Sequence, residues 1–331
     1  MGTISTAVGL DRISRVSGYN IKKGNFTTET QNLPQIIAIF GEANTANQVG
    51  LTVDKVEVTS AAEAATLFGS GSPIHRIVSV LRPTGSDGVG GIPTIVFPQV
   101  TDVGATATVR AWTVTGTATA NATHTVVVNG RTSVDYQYYT FDVVVGDTPT
   151  IIAGKISDAL NRVLGSPVLG TSALGVATAT SKWKGLTSAQ LNVSIDYGDN
   201  AAGVTYAQTT STNGAGSVDL SSSLSQFGDD WYTMVINPYG SVQLSALEQF
   251  NGFPSETNPT GRYNGLIFKP FCAYFGNTSG DKTVLSAITD ASGRINQVTN
   301  VLCPAPNSKG FDFEAAANVV ALASVVYQNT P

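Results

Sequence analysis

Residues 60–83 read SAAEAATLFGSGSPIHRIVSVLRP, and this stretch predicts two short helices. Ser60 with Glu63 three residues later is typical of the capping box that begins a helix. The Gly-Ser-rich residues 69–73 interrupt the first helical pattern, and Pro83 ends the second. Four apolar residues at helical spacing mark the buried face of the second helix: Ile74, Ile77, Val78 and Leu81.

Short apolar runs lie on both sides of these helices. QIIAIF at 35–40 and TIVF at 94–97 are continuous apolar runs of strand length, which is typical of buried strands. The same alternation returns near the end of the chain, with predicted strands at 231–237, 266–275 and 298–303 and predicted helices at 241–250, 283–292 and 313–328. Strands that alternate with helices predict βαβ units and a largely parallel sheet covered on both faces.

Residues 101–217 are dominated by Thr, Val, Ala, Gly and Asn and have the alternating pattern of β-strands. Asn129-Gly130 after the run 124–128 is a strong signal for a hairpin turn. One helix is predicted here, with an apolar stripe of Ile152, Ile156, Leu160 and Val163. We therefore predict an α/β fold in which a mixed α/β domain, 33–100 plus 218–331, is interrupted by an inserted β-rich, sandwich-like domain at 101–217.

The two ends of the chain differ in character. Residues 1–32 have little periodicity and are interpreted as an extended arm, with an ordinary irregular terminus as the alternative. The terminal helix at 313–328 is apolar on nearly every side, and such a helix must be covered on every side. Because three residues follow it, we expect the cover to come from the rest of a longer polypeptide or from another subunit.

Composition excludes several classes of function. Charged residues make up 12% of the chain, about half the usual share, and the formal net charge is −5. An acidic chain with no cluster of Lys and Arg is unlike a nucleic-acid-binding protein. No apolar run reaches the roughly 20 residues that a membrane span needs, and no signal peptide is recognised. We expect synthesis in a cytoplasm and no direct insertion into a membrane.

The sequence offers few residues for catalysis or metal binding. His75 lies in a helical pattern and His124 in a strand pattern, and neither has the ligand spacing of a zinc site. Cys272 and Cys303 lie on predicted strands and are interpreted as small core residues. No nucleophile elbow, Walker A or dinucleotide-binding motif is present. We predict no catalytic residue, no cofactor and no metal site.

Five segments resemble contractile tail sheath proteins, especially those of Mu-like phages, in the same order and spacing. They are SAAEAATLFGSGSPIHRIVSVLRP (60–83), GTATANATHTVVVNGR (116–131), TPTIIAGKISDALN (148–161), KWKGLTSAQLNVSIDY (182–197) and FGDDWYTMVINPY (227–239). Together these matches cover about residues 60–300. Each motif alone has low specificity, and the resemblance rests on their order.

The resemblance implies a structural subunit and not an enzyme. Copies of such a subunit polymerise as a helical sleeve around an inner tail tube, and the sleeve contracts to drive the tube through a cell envelope, which leads to genome ejection in a bacteriophage. A helical lattice of this kind needs non-closing contacts and two alternative packings between neighbours. The implied partners are identical subunits, the inner tail tube protein, the baseplate and the tail terminator. The implied location is the virion tail, assembled in the bacterial host cytoplasm.

The resemblance also suggests which residues contact neighbouring subunits. In the family, extended arms add strands to small sheets of adjacent subunits. The corresponding arm residues here are Ile4, Val8, Leu10, Ile13, Val16 and Ile21. The terminal helix is expected to contribute an interface through Phe313, Val319, Leu322 and Val326. Family members continue well past the end of this chain, so we expect that it lacks a C-terminal domain.

Two other functions stay open from the sequence. The first is a non-contractile phage surface protein or capsid-decorating β-rich structural protein. The second is a glycan-acting enzyme that uses Asp229 and Asp230, although adjacent acidic residues before a strand are more typical of a solvated turn. The inserted domain is expected to face outward and to fill the exterior; alternatively, an exposed aromatic patch binds glycans, formed by Trp112, Tyr136, Tyr138 and Tyr139.

Overall fold

The computed structural model describes residues 35–86, 88–252, 261–262, 268–291 and 299–329. The predicted arm residues lie outside the described residues: Ile4, Val8, Leu10, Ile13, Val16 and Ile21.

The described part of the chain forms fifteen strands and seven α-helices. The strands are β1 (Ile37–Glu42), β2 (Val56–Glu57), β3 (Thr94–Gln99), β4 (Ala107–Thr115), β5 (Ala122–Val128), β6 (Ser133–Val134), β7 (Gln137–Tyr138), β8 (Thr140–Val143), β9 (Val168–Ala173), β10 (Val176–Lys184), β11 (Val193–Asp196), β12 (Thr205–Thr212), β13 (Met234–Ile236), β14 (Cys272–Asn277) and β15 (Asn300–Pro304). The helices are α1 (Ala61–Phe68), α2 (Pro73–Leu81), α3 (Pro149–Arg162), α4 (Ser221–Ser225), α5 (Leu244–Asn251), α6 (Lys282–Thr289) and α7 (Asp312–Asn329).

Six strands form one sheet in the order β15-β14-β13-β1-β3-β2. All neighbours in it are parallel except β2, which runs antiparallel to β3. The central strand β1 is buried along its whole length, as a continuous apolar run predicts. Its neighbours β3 and β13 lie on opposite sides of it. In the chain, more than a hundred residues separate these two neighbours, from the end of β3 at Gln99 to the start of β13 at Met234. The sheet is therefore built from both ends of the described chain.

The division of residues 60–83 into two helices is confirmed. The Ser60 hydroxyl accepts a hydrogen bond from the Glu63 amide at 3.2 Å, and the Glu63 carboxylate accepts one from the Thr59 amide at 2.8 Å. The second helix begins at Pro73, and the hydroxyl of Ser72 accepts a hydrogen bond from the first turn. These caps satisfy amide groups that have no partner inside a helix.

Helices cover both faces of the six-stranded sheet. Helices α1, α2 and α7 contribute to the core on one face, where Ile37 and Ile39 of β1 point. On the other face, α4 and α5 cover a core around Phe40, Phe97 and Phe227. The rings of Phe97 and Phe227 are 5.0 Å apart, and aromatic side chains bury large apolar areas.

Residues 101–217, here called the insertion, contain the remaining strands. They form a four-stranded sheet (β12-β4-β10-β9), a three-stranded sheet (β11-β5-β8) and a two-stranded sheet (β6-β7). The predicted helix is confirmed as α3, which packs on β4, β8, β9 and β10. Its buried face includes Ile152, Ile156 and Leu160.

The Asn-Gly turn is present, but the predicted hairpin is very short. Asn129 and Gly130 have φ angles of 47° and 73°, as a type I′ turn requires. Val128 and Arg131 exchange two backbone hydrogen bonds of 2.9 and 3.0 Å, and the pairing stops there. Strand β5 pairs instead with β8 and β11, which come later in the chain.

The insertion shares a hydrophobic core with the first face of the six-stranded sheet. Buried residues of both regions belong to one cluster, in which Trp183 of β10 lies 5.6 Å from Phe311, just before α7. The predicted aromatic patch on the insertion is wrong. Trp112 and Tyr139 are buried because they point into this core, so of the four predicted residues only Tyr136 and Tyr138 are exposed.

Candidate assembly surface

Helix α7 is half covered by its own chain. Phe313, Ala316, Ala317 and Val320 are completely buried, and the helix packs on α2, β13 and β14. The expectation that only another polypeptide covers this helix is therefore wrong for this face. Phe313 was predicted to contact another subunit, which is also wrong, because the fold already surrounds its ring.

The opposite face of α7 carries an exposed apolar stripe. It consists of Val319, Leu322, Val326 and Tyr327, of which Leu322 is the most exposed at 72%. The spacing of 319, 322 and 326 places these three side chains on one side of the helix. We call these four residues the α7 stripe. It retains three of the four residues predicted for an interface and adds Tyr327.

Helix α6 is an amphipathic helix with little cover from the described residues. It has no buried residue, and Val284 is 45% exposed. Asp281 caps its start by accepting a hydrogen bond of 2.8 Å from the Thr283 amide. Because most helices in proteins are stabilised by burying one face, an amphipathic helix without buried residues indicates a surface suited to packing.

The start of α7 is tied to the rest of the fold by a buried ion cluster. The carboxylate of Glu314 lies 2.6 Å from the guanidinium of Arg76 on α2 and 3.1 Å from that of Arg131 in the insertion. Glu314 and Arg76 are almost fully buried, whereas Arg131 is partly exposed. A buried charge is tolerated when it is paired and hydrogen-bonded, as each of these is.

Further contacts join the same helix start to the insertion. Gln190 and Asp312 form a reciprocal pair. The Gln190 side-chain amide donates a hydrogen bond of 2.6 Å to the Asp312 carboxylate, and the Asp312 backbone amide donates one of 2.8 Å to the Gln190 side-chain oxygen. The Asn129 side chain donates to the Lys309 carbonyl at 3.0 Å. Phe311 stacks on Phe313 at 4.9 Å. The α7 stripe is therefore carried on a helix that is fixed to two parts of the fold.

Glu42, the last residue of β1, is a buried carboxyl group with few partners. One oxygen accepts a hydrogen bond of 3.1 Å from the Thr187 hydroxyl of the insertion. The other faces the buried Tyr239 hydroxyl without a hydrogen bond of good geometry. Thr187 in turn accepts a hydrogen bond of 3.0 Å from the Trp183 indole. Burial raises the pKa of Glu42 to about 7, and the hydrogen bonds that it accepts oppose this rise only in part.

The histidines and cysteines occupy structural positions. His124 is buried with one ring nitrogen 2.8 Å from the Asn200 carbonyl and the other 2.5 Å from the Tyr206 hydroxyl. In His75, the Nδ1 atom accepts a hydrogen bond from the Gly71 amide, and burial lowers its pKa. Burial raises the pKa of both cysteine thiols, Cys272 and Cys303. Within the described ranges no cluster of three or more His, Cys, Asp or Glu residues is placed to hold a metal ion.

The geometry around Asp229 and Asp230 fits a surface turn. Lys55 lies 2.5 Å from the Asp230 carboxylate, and this hydrogen bond lowers the pKa of Asp230. Asp229 accepts a hydrogen bond from Lys269 through its backbone carbonyl. A general acid needs a raised pKa to hold its proton, so Asp230 is unsuited to that role.

Similarity to one protein of known class agrees with the resemblance found in the sequence. Over 219 residues the chain is 29% identical to the Mu-like prophage FluMu tail sheath protein of Haemophilus influenzae. This similarity supports a relationship to the tail sheath family. The match covers 65% of this chain and 42% of the relative, so the chain spans less than half of that protein's length. No protein-family model matches the chain.

This similarity supports a structural role in a phage tail sheath. For such a structural role, the relevant features are the exposed surfaces of α6 and α7 and the contacts that fix the start of α7 to the fold. In the described part of the chain, no helix is long and apolar enough to cross a membrane.

Sequence reasoning missed two buried acidic groups. Glu314 and Arg76 are far apart in the chain, and no local pattern indicates that they meet. Glu42 had a weak signal, because only Gly41 separates it from the apolar run 35–40, so it lies close to the end of a predicted buried strand.

Proposed function

We propose that this chain is part of a structural subunit of a contractile tail sheath. The observation that carries the proposal is the 29% identity over 219 residues to a tail sheath protein. In this function, copies polymerise as a helical sleeve around an inner tail tube, and the sleeve contracts to drive the tube through a cell envelope. The subunit has no catalytic role and needs no cofactor.

The proposed sheath unit is the α/β domain of 33–100 plus 218–331, with the insertion facing outward. Its partners are identical subunits, the inner tail tube protein, the baseplate and the tail terminator, with no nucleic acid among them. Residues 1–32 act as an arm that adds a strand to a neighbouring subunit. The assembled protein resides in the virion tail.

The α7 stripe and α6 are the surfaces that we assign to contacts with other copies or with the inner tube. Both expose apolar side chains on helices, as packing surfaces commonly do. A low content of charged residues favours close packing of large surfaces over long-range electrostatic attraction.

The fixed start of α7 has a consequence for contraction. Because Glu314 joins α2, α7 and the insertion, these elements move together as one body. The change between the extended and contracted states then takes place at contacts between subunits. This agrees with the general behaviour of packed cores, which resist gradual deformation and switch at interfaces.

The test is electron microscopy of the protein expressed from its complete reading frame, with and without the substitution Leu322→Asp. We expect wide hollow tubes from the unsubstituted protein. Burying one Leu side chain stabilises a contact by about 1.5–3 kcal/mol, and this contribution repeats at every subunit, so Leu322→Asp is expected to abolish tubes.

The matched control is Leu174→Asp in the insertion. Leu174 is 95% exposed with φ 49°, a conformation that Asp tolerates, so tubes are expected to persist. Monodisperse particles from the unsubstituted protein would contradict the sheath proposal and favour a decorating protein. If Leu322→Asp still forms tubes, the sheath function is retained, but the α7 stripe is not one of the contacts between subunits.

A further inference from the structure

A cavity of about 580 Å³ lies between the carboxyl end of β1 and the insertion. Residues 44–47, which follow β1, form one wall, and β10 forms the opposite wall. The volume is in the range of small-molecule sites.

Two lysines give this cavity a positive charge that no carboxylate in its walls neutralises. Lys182 and Lys184 lie on the same side of β10, since both line the cavity and Trp183 between them is buried on the other side. The Lys182 ammonium donates only to backbone carbonyls, those of Leu164 at 3.2 Å and Ser70 at 3.4 Å. The side chain of Lys184 has no ion pair or hydrogen bond among the described residues, and no described Asp or Glu lines the cavity.

Aliphatic side chains line the cavity on the side of the insertion, whereas Asn44, Thr45 and Asn47 lie on the wall that follows β1. Leu169 pairs with Thr180 across β9 and β10, and Ala107 pairs with Lys184 across β4 and β10, so both lie beside the lysine face. Leu164 completes this side and is exposed, as is Leu169. A site with two cationic groups beside aliphatic side chains on one wall fits a ligand that has an anionic end and an apolar body.

We propose that this cavity binds a carboxylate carried on an apolar group. The ammonium groups of Lys182 and Lys184 hold the carboxylate, and Leu164 and Leu169 cover the apolar part. Burial lowers the pKa of Lys182 by removing water from its charged form, and a bound anion opposes this shift. The carboxylate belongs either to a free small molecule or to an acidic side chain of a second copy of this chain.

The test of the chemistry is calorimetric titration with 4-phenylbutyrate and with the neutral 4-phenyl-1-butanol. The acid is expected to bind at least roughly tenfold more tightly than the alcohol, which is the effect of one charged hydrogen bond. Lys184→Met is expected to remove this preference, and Lys184→Arg to keep it, with circular dichroism to establish folding of both. Absence of saturable binding, equal binding of acid and alcohol, or an unchanged preference in Lys184→Met would overturn the proposal.

A second arm distinguishes the two sources of the carboxylate. Tube formation is measured by electron microscopy with and without saturating 4-phenylbutyrate. Loss of tubes identifies the natural occupant as an acidic side chain of a neighbouring copy, and unchanged tubes identify it as a free small molecule. The titration is done in the Leu322→Asp background, which is expected to remain as single subunits, so its result stands independently of tube formation.

Discussion

Glu42 makes stability depend on pH, and the substitution Glu42→Gln is predicted to remove that dependence. The pKa of Glu42 is raised from 4.5 to about 7 because its carboxyl group is buried. The folded state therefore holds a proton that the unfolded state has lost between these two values. Stability falls as pH rises through this window and is constant above it.

The magnitude follows from the two pKa values. Each pKa unit corresponds to about 1.4 kcal/mol, so the change in the free energy of unfolding between pH 5 and pH 8 is about 2.5 kcal/mol. Gln keeps the size and hydrogen-bonding capacity of a protonated carboxyl group and does not ionise. We compare the free energy of unfolding of Glu42→Gln with that of the unsubstituted protein. This difference is expected to shift in favour of the variant by about 2–3 kcal/mol between low pH and pH 8.

The assay is urea unfolding at a series of pH values from 5 to 8, followed by tryptophan fluorescence. Trp183 donates a hydrogen bond to Thr187, which in turn donates to Glu42, so its emission reports on this region. The control is Glu57→Gln on β2, which removes an exposed carboxylate. If Glu42→Gln and the unsubstituted protein lose stability in parallel over this range, the carboxyl group is not ionising as described and the reasoning fails.

Two further predictions concern the start of α7. Glu314→Gln leaves Arg76 buried without its counter-charge and is expected to lower the free energy of unfolding by about 3–5 kcal/mol in urea. Arg131→Gln removes the exposed partner and is expected to lower it much less, so equal effects would contradict the assigned roles. Gly276→Ala places a Cβ atom 1.8 Å from the Asp312 carbonyl oxygen, so it is expected to displace α7 and lower the melting temperature by several degrees. Gly91→Ala serves as the control, because a Cβ atom there meets open space.

The strands and helices of the α/β region were accessible from sequence because their signals are local. The run 35–40 is apolar throughout, and the cap at Ser60 is formed by a residue three positions away. Such features depend on neighbours in the chain, which the sequence displays directly. The helix at Pro149–Arg162 was predicted for the same reason, from its apolar spacing.

The cover of α7 and the burial of Trp112 were missed because they depend on distant segments. The periodicity of α7 indicates apolar faces but does not indicate that α2 and β14 occupy one of them. An aromatic residue on a strand faces either the core or the solvent, and the register of β4 with β10 and β12 decides this for Trp112. The hairpin after Asn129-Gly130 was overestimated because β5 finds longer partners in β8 and β11.

The core shared by the insertion and the six-stranded sheet constrains how this protein can evolve. A domain that is merely tethered at a loop can be lost or exchanged between relatives without loss of its host. Here Trp183 packs on Phe311, and Gln190 pairs with Asp312, so removal of the insertion strips the start of α7 of its apolar cover and its hydrogen bonds. Descendants can therefore vary the outer loops of the insertion freely, while exchange of the whole unit requires matched changes at both sides of the shared core.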